Sequence, residues 1–132
     1  MTCLGYGEAK VLVAEQKADL IASGQATELF GIENGGRLDA ILASIVQTFD
    51  GEPLYPDVAS RAAHILYFII KDHAFVEGNK RIASMLLHNF LLRNDGKQID
   101  PATLIALTIR IEANEATLQT KDQMIKEVIA HL

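Results

Sequence analysis

The chain has 132 residues, 49% of them hydrophobic, and a formal net charge of −5. That length favours one domain, residues 1–132, able to bury a core of its own, and the acidic balance argues against a nucleic-acid partner, which would want a basic face. A single cysteine, Cys3, excludes an internal disulfide framework and a cysteine-based zinc site. No run approaches the ~20 apolar residues of a membrane span, so no membrane partner is expected. The first residues show no basic segment followed by an apolar one, and a cytoplasmic setting is the expectation.

In chain order, the periodicity predicts an all-α fold. A first helix runs over about 7–23, with Gly24 ending it. A glycine-rich stretch from Phe30 to Arg37 follows; its Asn34-Gly35 suits a two-residue hairpin turn, and a short hairpin or an irregular loop fits. Leu38, Ile41, Leu42, Ile45, Val46 and Phe49 recur at helical spacing, and Asp50-Gly51-Glu52-Pro53 breaks that helix. The segment from Pro56 to about Asp72 is apolar nearly all round, the pattern of a buried central helix. A polar loop, His73 to Gly78, separates it from a helix beginning near Asn79 and ended by Asn94-Asp95-Gly96. Asp100-Pro101 opens a helix to about Asn114, and Thr120 with Gln123 reads as the capping box of the last one.

The charge is uneven. Residues 61 to 97 hold six cations (Arg61, Lys71, Lys80, Arg81, Arg93, Lys97) against three acids (Asp72, Glu77, Asp95), which suits a small anionic ligand. Within that stretch, His73-Ala74-Phe75-Val76-Glu77-Gly78-Asn79-Lys80-Arg81 joins two apolar helices. Gly78 and Asn79 fall at a helix N-terminus, where unpaired amides and the helix dipole form an anion site. Lys80 and Arg81 add positive charge, Arg81 with the geometry to grip phosphate. Glu77 can hold a magnesium ion, which takes one or two carboxylates plus phosphate oxygens. His73 carries an imidazole, which can accept a hydroxyl proton. His64 and His88 lie on apolar helices and read as core or groove residues, and His131 reads as exposed.

These nine residues resemble the signature of the Fic/Doc family, His-x-Phe-x-Asp/Glu-Gly-Asn-Gly/Lys-Arg, and the order of elements is similar over nearly the whole chain. The stretches Phe49 to Pro56 and Leu66 to Lys71 resemble the Fic/Doc domain of RhuM-like virulence proteins. The resemblance implies a helical bundle of about six helices with a short flap hairpin. It implies transfer of a phosphate-containing group from ATP, or another nucleoside triphosphate, to a Ser, Thr or Tyr hydroxyl of a target protein, with Mg2+. His73 would be the general base and Glu77 the metal ligand. Gly78, Asn79, Lys80 and Arg81 would bind the nucleotide. Phe30, Gly31, Ile32, Glu33, Asn34 and Gly35 would form the flap that docks the target.

Two departures bear on the reaction. AMP-transferring members carry glycine at the position of Lys80 and a second arginine at that of Ser84. Lys80 and Ser84 are similar to Doc, the death-on-curing toxin, and favour transfer of the terminal phosphate; Glu77-Gly78 is similar to the AMP-transferring members. A silent binding module on the same fold is the third reading, disfavoured by the intact His73, Glu77 and Arg81. Thr108-Ile-Arg-Ile-Glu112 carries part of the family's restraining pattern. Ala113 departs from it, and Ser84 leaves Glu112 without its usual arginine, so these read as ordinary helix residues and a separate antitoxin or inhibitory chain is the expected control.

Overall fold

The computed structural model describes all 132 residues, Met1–Leu132. Six helices and one small hairpin follow in order: α1 (Tyr6–Ala22), α2 (Arg37–Ile45), β1 (Thr48–Phe49), β2 (Glu52–Pro53), α3 (Val58–Lys71), α4 (Asn79–Arg93), α5 (Pro101–Ala113) and α6 (Leu118–Ala130). The fold is all-α with a two-stranded accessory, as the periodicity predicts. No helix is long and apolar enough to cross a membrane.

The all-round apolar pattern of α3 places it at the centre, packed against α2, α4, α5 and α6. Ala62, Ala63, Ile65, Leu66, Ile69 and Ile70 are buried there, in one core with Ile82, Leu86, Leu87 and Phe90 of α4. Burying each of the Ile, Leu and Phe side chains among them contributes roughly 1.5–3 kcal/mol, which holds the two helices flanking the polar loop in a fixed relation. Helix ends follow local chemistry. Asp57 caps α3 by accepting from the Ser60 amide at 2.7 Å, and Asp100 caps α5 by accepting from the Thr103 amide at 3.2 Å. α1 closes with the Gln25 amide on the Leu20 carbonyl and the Gly24 amide on the Ile21 carbonyl, a Schellman ending.

Four boundaries differ from the sequence expectation. α3 starts at Val58 behind Asp57 rather than at Pro56, because a capping carboxylate outcompetes a first-turn proline two residues earlier. The last capping box is Thr117 with Thr120, whose hydroxyls and amides satisfy each other reciprocally. α2 stops at Ile45, and Phe49 lies in a strand with its side chain 78% exposed. The hairpin is β1–β2, not the stretch from Phe30 to Arg37. Thr48 pairs with Pro53 and Phe49 with Glu52, around Asp50 (φ 56°) and Gly51 (φ 80°), the positive-φ pair that a tight two-residue turn needs.

His64 is buried as expected, stacked at 3.8 Å on Tyr55, which follows the hairpin, with its Nδ1–H donating to the Ser60 carbonyl at 2.7 Å. His131 is exposed, also as expected; His88 is exposed rather than in the core, with Nδ1 3.0 Å from Gln98 Oε1. Burial pushes the pKa of His64 below its usual value, against the opposing pull of the Ser60 carbonyl. The unfolded chain therefore binds a proton that the folded chain resists. Stability from this site is full above about pH 6.5 and is lost as pH falls through the lowered folded-state value. Thermal melts between neutral and mildly acidic pH should show wild type losing more stability than His64→Phe; parallel curves would refute it.

Candidate active site

The polar loop is shaped from three directions. From α3, the chain turns at His73, whose φ of 47° is left-handed. The Ala74 amide reaches back to the Ile69 carbonyl at 3.2 Å and the His73 amide to Ile70 at 3.4 Å, so His73 occupies the position where helices usually end in glycine. Its ring nitrogens form no hydrogen bond within the chain, and the residue is exposed. Its carbonyl accepts from Asn34 Nδ2 at 2.8 Å and from Arg37 Nη1 at 3.4 Å, and Arg37 Nη1 also reaches the Asp72 carbonyl at 3.1 Å. An imidazole free at both nitrogens, on a backbone fixed at both faces, can accept a proton.

From α4, the Asn79 carboxamide closes the loop. Its Oδ1 accepts from the Phe75 amide at 2.9 Å and its Nδ2 donates to the Phe75 carbonyl at 2.8 Å. Asn79 was expected on the nucleotide; its carboxamide instead shapes the turn, leaving its backbone amide for an anion. Asn79→Asp keeps the acceptor but turns a carboxylate oxygen onto the Phe75 carbonyl. It should cost about 1–3 kcal/mol in denaturant unfolding; an unchanged midpoint would contradict this role.

From the glycine-rich segment, three backbone bonds pair with the loop: Asn34 amide to Ala74 carbonyl (2.9 Å), Val76 amide to Ile32 carbonyl (2.7 Å) and Gly31 amide to Glu77 carbonyl (3.1 Å). Of the two conformations the sequence allowed here, the irregular loop is the one adopted. The segment expected to form a target-docking flap, Phe30, Gly31, Ile32, Glu33, Asn34 and Gly35, is therefore not a free hairpin. Its hydrogen-bonding edge is already consumed by the signature loop, Phe30 is fully buried, and Glu33 accepts from the Tyr6 hydroxyl at 2.8 Å.

Gly78 begins α4 in the left-handed region, with φ 90°. No side chain caps α4, and the amides of Asn79, Lys80 and Arg81 have no acceptor in the chain. That is an open anion site with the helix dipole behind it. The Phe30 ring lies beneath it, too close to Gly78 for any Cβ there, and the Arg81 guanidinium sits 4.8 Å from the Phe30 ring centroid. Arg81 Nη1 donates to the Gln25 carbonyl at 2.8 Å, which orients the guanidinium and leaves most of its five donors for phosphate.

Glu77 is exposed, and Thr27 Oγ1 donates to its Oε2 at 3.2 Å. No three His, Cys, Asp or Glu side chains cluster to make a metal cage. One free carboxylate beside an anion site fits a magnesium ion that arrives with a polyphosphate, since magnesium keeps few protein ligands. Lys80 Nζ pairs with Glu112 Oε1 of α5 at 2.8 Å. Glu112 was read as an ordinary helix residue without its usual partner; its partner is the lysine of the signature itself. Ser84 Oγ donates to the Lys80 carbonyl at 2.8 Å.

The structure thus brings Glu77, Gly78, Asn79, Lys80 and Arg81 to one helix mouth, with His73 at the other end of the same short loop. Sequence reasoning missed Gln25, Thr27 and Arg37, which hold Arg81, Glu77 and the His73 carbonyl. Nothing in their local sequence marks them, because each acts across more than thirty residues.

No curated protein matches the chain. Residues 9–91, well over half of the sequence, match the Fic/DOC family, whose members are typically transferases using nucleoside triphosphates. The matched span runs from α1 through the signature loop to the last turns of α4, and the chain belongs to the Fic/DOC family.

Proposed function

We propose that the chain transfers the terminal phosphate of a nucleoside triphosphate, such as ATP, to a Ser, Thr or Tyr hydroxyl of a target protein. The observation that carries this reading is the uncapped mouth of α4, joined by one short loop to an unengaged imidazole on a fixed backbone. Polyphosphate oxygens would accept from the amides of Asn79, Lys80 and Arg81, with the Arg81 guanidinium gripping a neighbouring oxygen. Glu77 would hold Mg2+ with the phosphates, supplying charge neutralisation. His73 takes the proton of the target hydroxyl, the freed oxygen bonds to the γ-phosphorus, and the β–γ bridge oxygen leaves with the nucleoside diphosphate. Positioning, electrostatics and a base are what in-line phosphoryl transfer needs.

A second reading is AMP transfer, in which the hydroxyl attacks the α-phosphorus and pyrophosphate leaves. The Lys80–Glu112 pair favours it, because a lysine drawn towards α5 leaves room at the position where AMP-transferring members carry glycine. In either case the exposed β1–β2 hairpin, with free strand edges and Phe49 outward, is the segment on which an extended target chain would pair. Control by a separate antitoxin-like chain in the cytoplasm belongs to the same proposal.

Incubation with cell extract and nucleotide labelled at α or γ separates these readings. Label from γ alone supports phosphate transfer, and label from α supports nucleotide transfer. No label from any nucleoside triphosphate, with wild type equal to His73→Ala, would leave a binding module on this fold and refute both.

A further inference from the structure

Beside His73 the surface sinks into an open pocket of about 640 Å³ between the start of α2 and the end of α3. Arg37, Ala40, Phe68, Lys71, Asp72 and His73 are among its walls; none of Gly78, Asn79, Lys80 and Arg81 is. The pocket is therefore distinct from the amides at the mouth of α4, though both adjoin the signature loop.

Its charge runs against that of the chain. Arg37 Nη1 donates only to the backbone carbonyls of Asp72 and His73, and Lys71 Nζ only to those of Glu112 and Asn114. Neither cation has a carboxylate partner. Against these stands one acid on the lining, Asp72. In a chain of net charge −5, two cations held in place by carbonyls, neither of them paired with a carboxylate, make a site for an anion.

Given the hydroxyl-modifying activity proposed above, on which this inference rests, we infer that the pocket takes an Asp or Glu side chain of the target segment, close in sequence to the acceptor hydroxyl. Arg37 is the specificity-determining residue. Its Nη1 is tied to the carbonyl of the base itself, so its remaining donors lie within one residue of His73 and can fork onto a carboxylate. Phe68 supplies an apolar wall for the methylenes of that side chain. An extended chain advances about 3.3 Å per residue, so a carboxylate within about four residues of the hydroxyl can reach the pocket.

The test uses wild-type protein without nucleotide, so that no transfer occurs. Its probes are fluorescent peptides with one central Ser, Thr or Tyr and a Glu at each flanking position in turn, each matched by a Gln peptide. At one or two positions the Glu peptide should bind about fivefold to tenfold more tightly than its Gln counterpart, the effect of one charge-assisted contact. Arg37→Gln should remove the difference. Because Arg37 also steadies the loop, Ala40→Glu is the second variant. Ala40 is exposed on α2, makes no side-chain hydrogen bond, and lies three residues from Arg37, so a glutamate there should occupy the cations and abolish the preference without breaking a bond.

Equal binding of Glu and Gln peptides at every position would overturn the inference, as would a preference that survives both substitutions. Displacement of the Glu peptides by ATP would also overturn it, assigning the pocket to the nucleotide. Labelled-nucleotide transfer to the same peptides reads the activity separately: an acidic preference in binding with no label from any nucleotide supports the pocket as a docking site and sinks the transfer reading alone.

Discussion

His73→Gly should lose activity and gain stability together. The loss follows from removing the proposed base, a group that typically contributes 10²–10⁴-fold to a proton-transfer step. The gain follows from the backbone: at a φ of 47° in a Schellman ending, histidine occupies a conformation that glycine adopts without strain. The expected benefit is roughly 0.5–1 kcal/mol, a rise of a few degrees in melting temperature for a chain of this length. His73→Ala should lose the same activity with no such gain, because alanine keeps the left-handed cost. A melting point for His73→Gly below that of His73→Ala would show that the left-handed backbone at this position holds no strain for glycine to relieve.

Gly78→Ala should be the most damaging single substitution in the signature. An added Cβ would lie 2.5 Å from Phe30 Cδ2, closer still to Cε2, and 3.1 Å from Cζ. Phe30 is fully buried and has nowhere to move. Overpacking of this kind costs about 1–3 kcal/mol, and the left-handed φ adds about 1–2 kcal/mol for any residue with a Cβ. A fall in melting temperature on the order of 10 °C is expected, with loss of thermal protection by nucleotide. Combining it with Phe30→Ala should be less harmful than the sum of the two, since one clash is shared. Strict additivity would place the strain elsewhere.

Much of the fold was legible because it is local. The all-round apolar run in α3 marks a central helix, and Asp100-Pro101 marks a helix start, from neighbouring residues alone. The hairpin was misplaced because Asn34-Gly35 and Asp50-Gly51 carry the same turn signal. Which of them folds back on itself is decided by Ile32 and Asn34 pairing with Val76 and Ala74, some forty residues away. Phe49 fits a helical period that Asp50-Gly51 overrides. In the site, the nine signature residues are legible because their spacing along one loop is itself the chemistry. The roles of Gln25, Thr27, Asn34 and Arg37 arise only once the chain returns past the loop, and no window of neighbours contains that information. Glu112 shows the same limit from the other side: its motif was visible, but its partner was not.

The three backbone pairings between the glycine-rich stretch and the signature loop make the signature non-portable. Nine residues transplanted between two helices of another bundle would keep their order and lose their shape. The Phe30 ring under the first turn, the carbonyl that aims Arg81 and the hydroxyl beside Glu77 all come from the strip between Gln25 and Arg37. A working transplant would have to carry that strip as a mould for the loop, and a cut anywhere within it should disarm the site while leaving the helices standing.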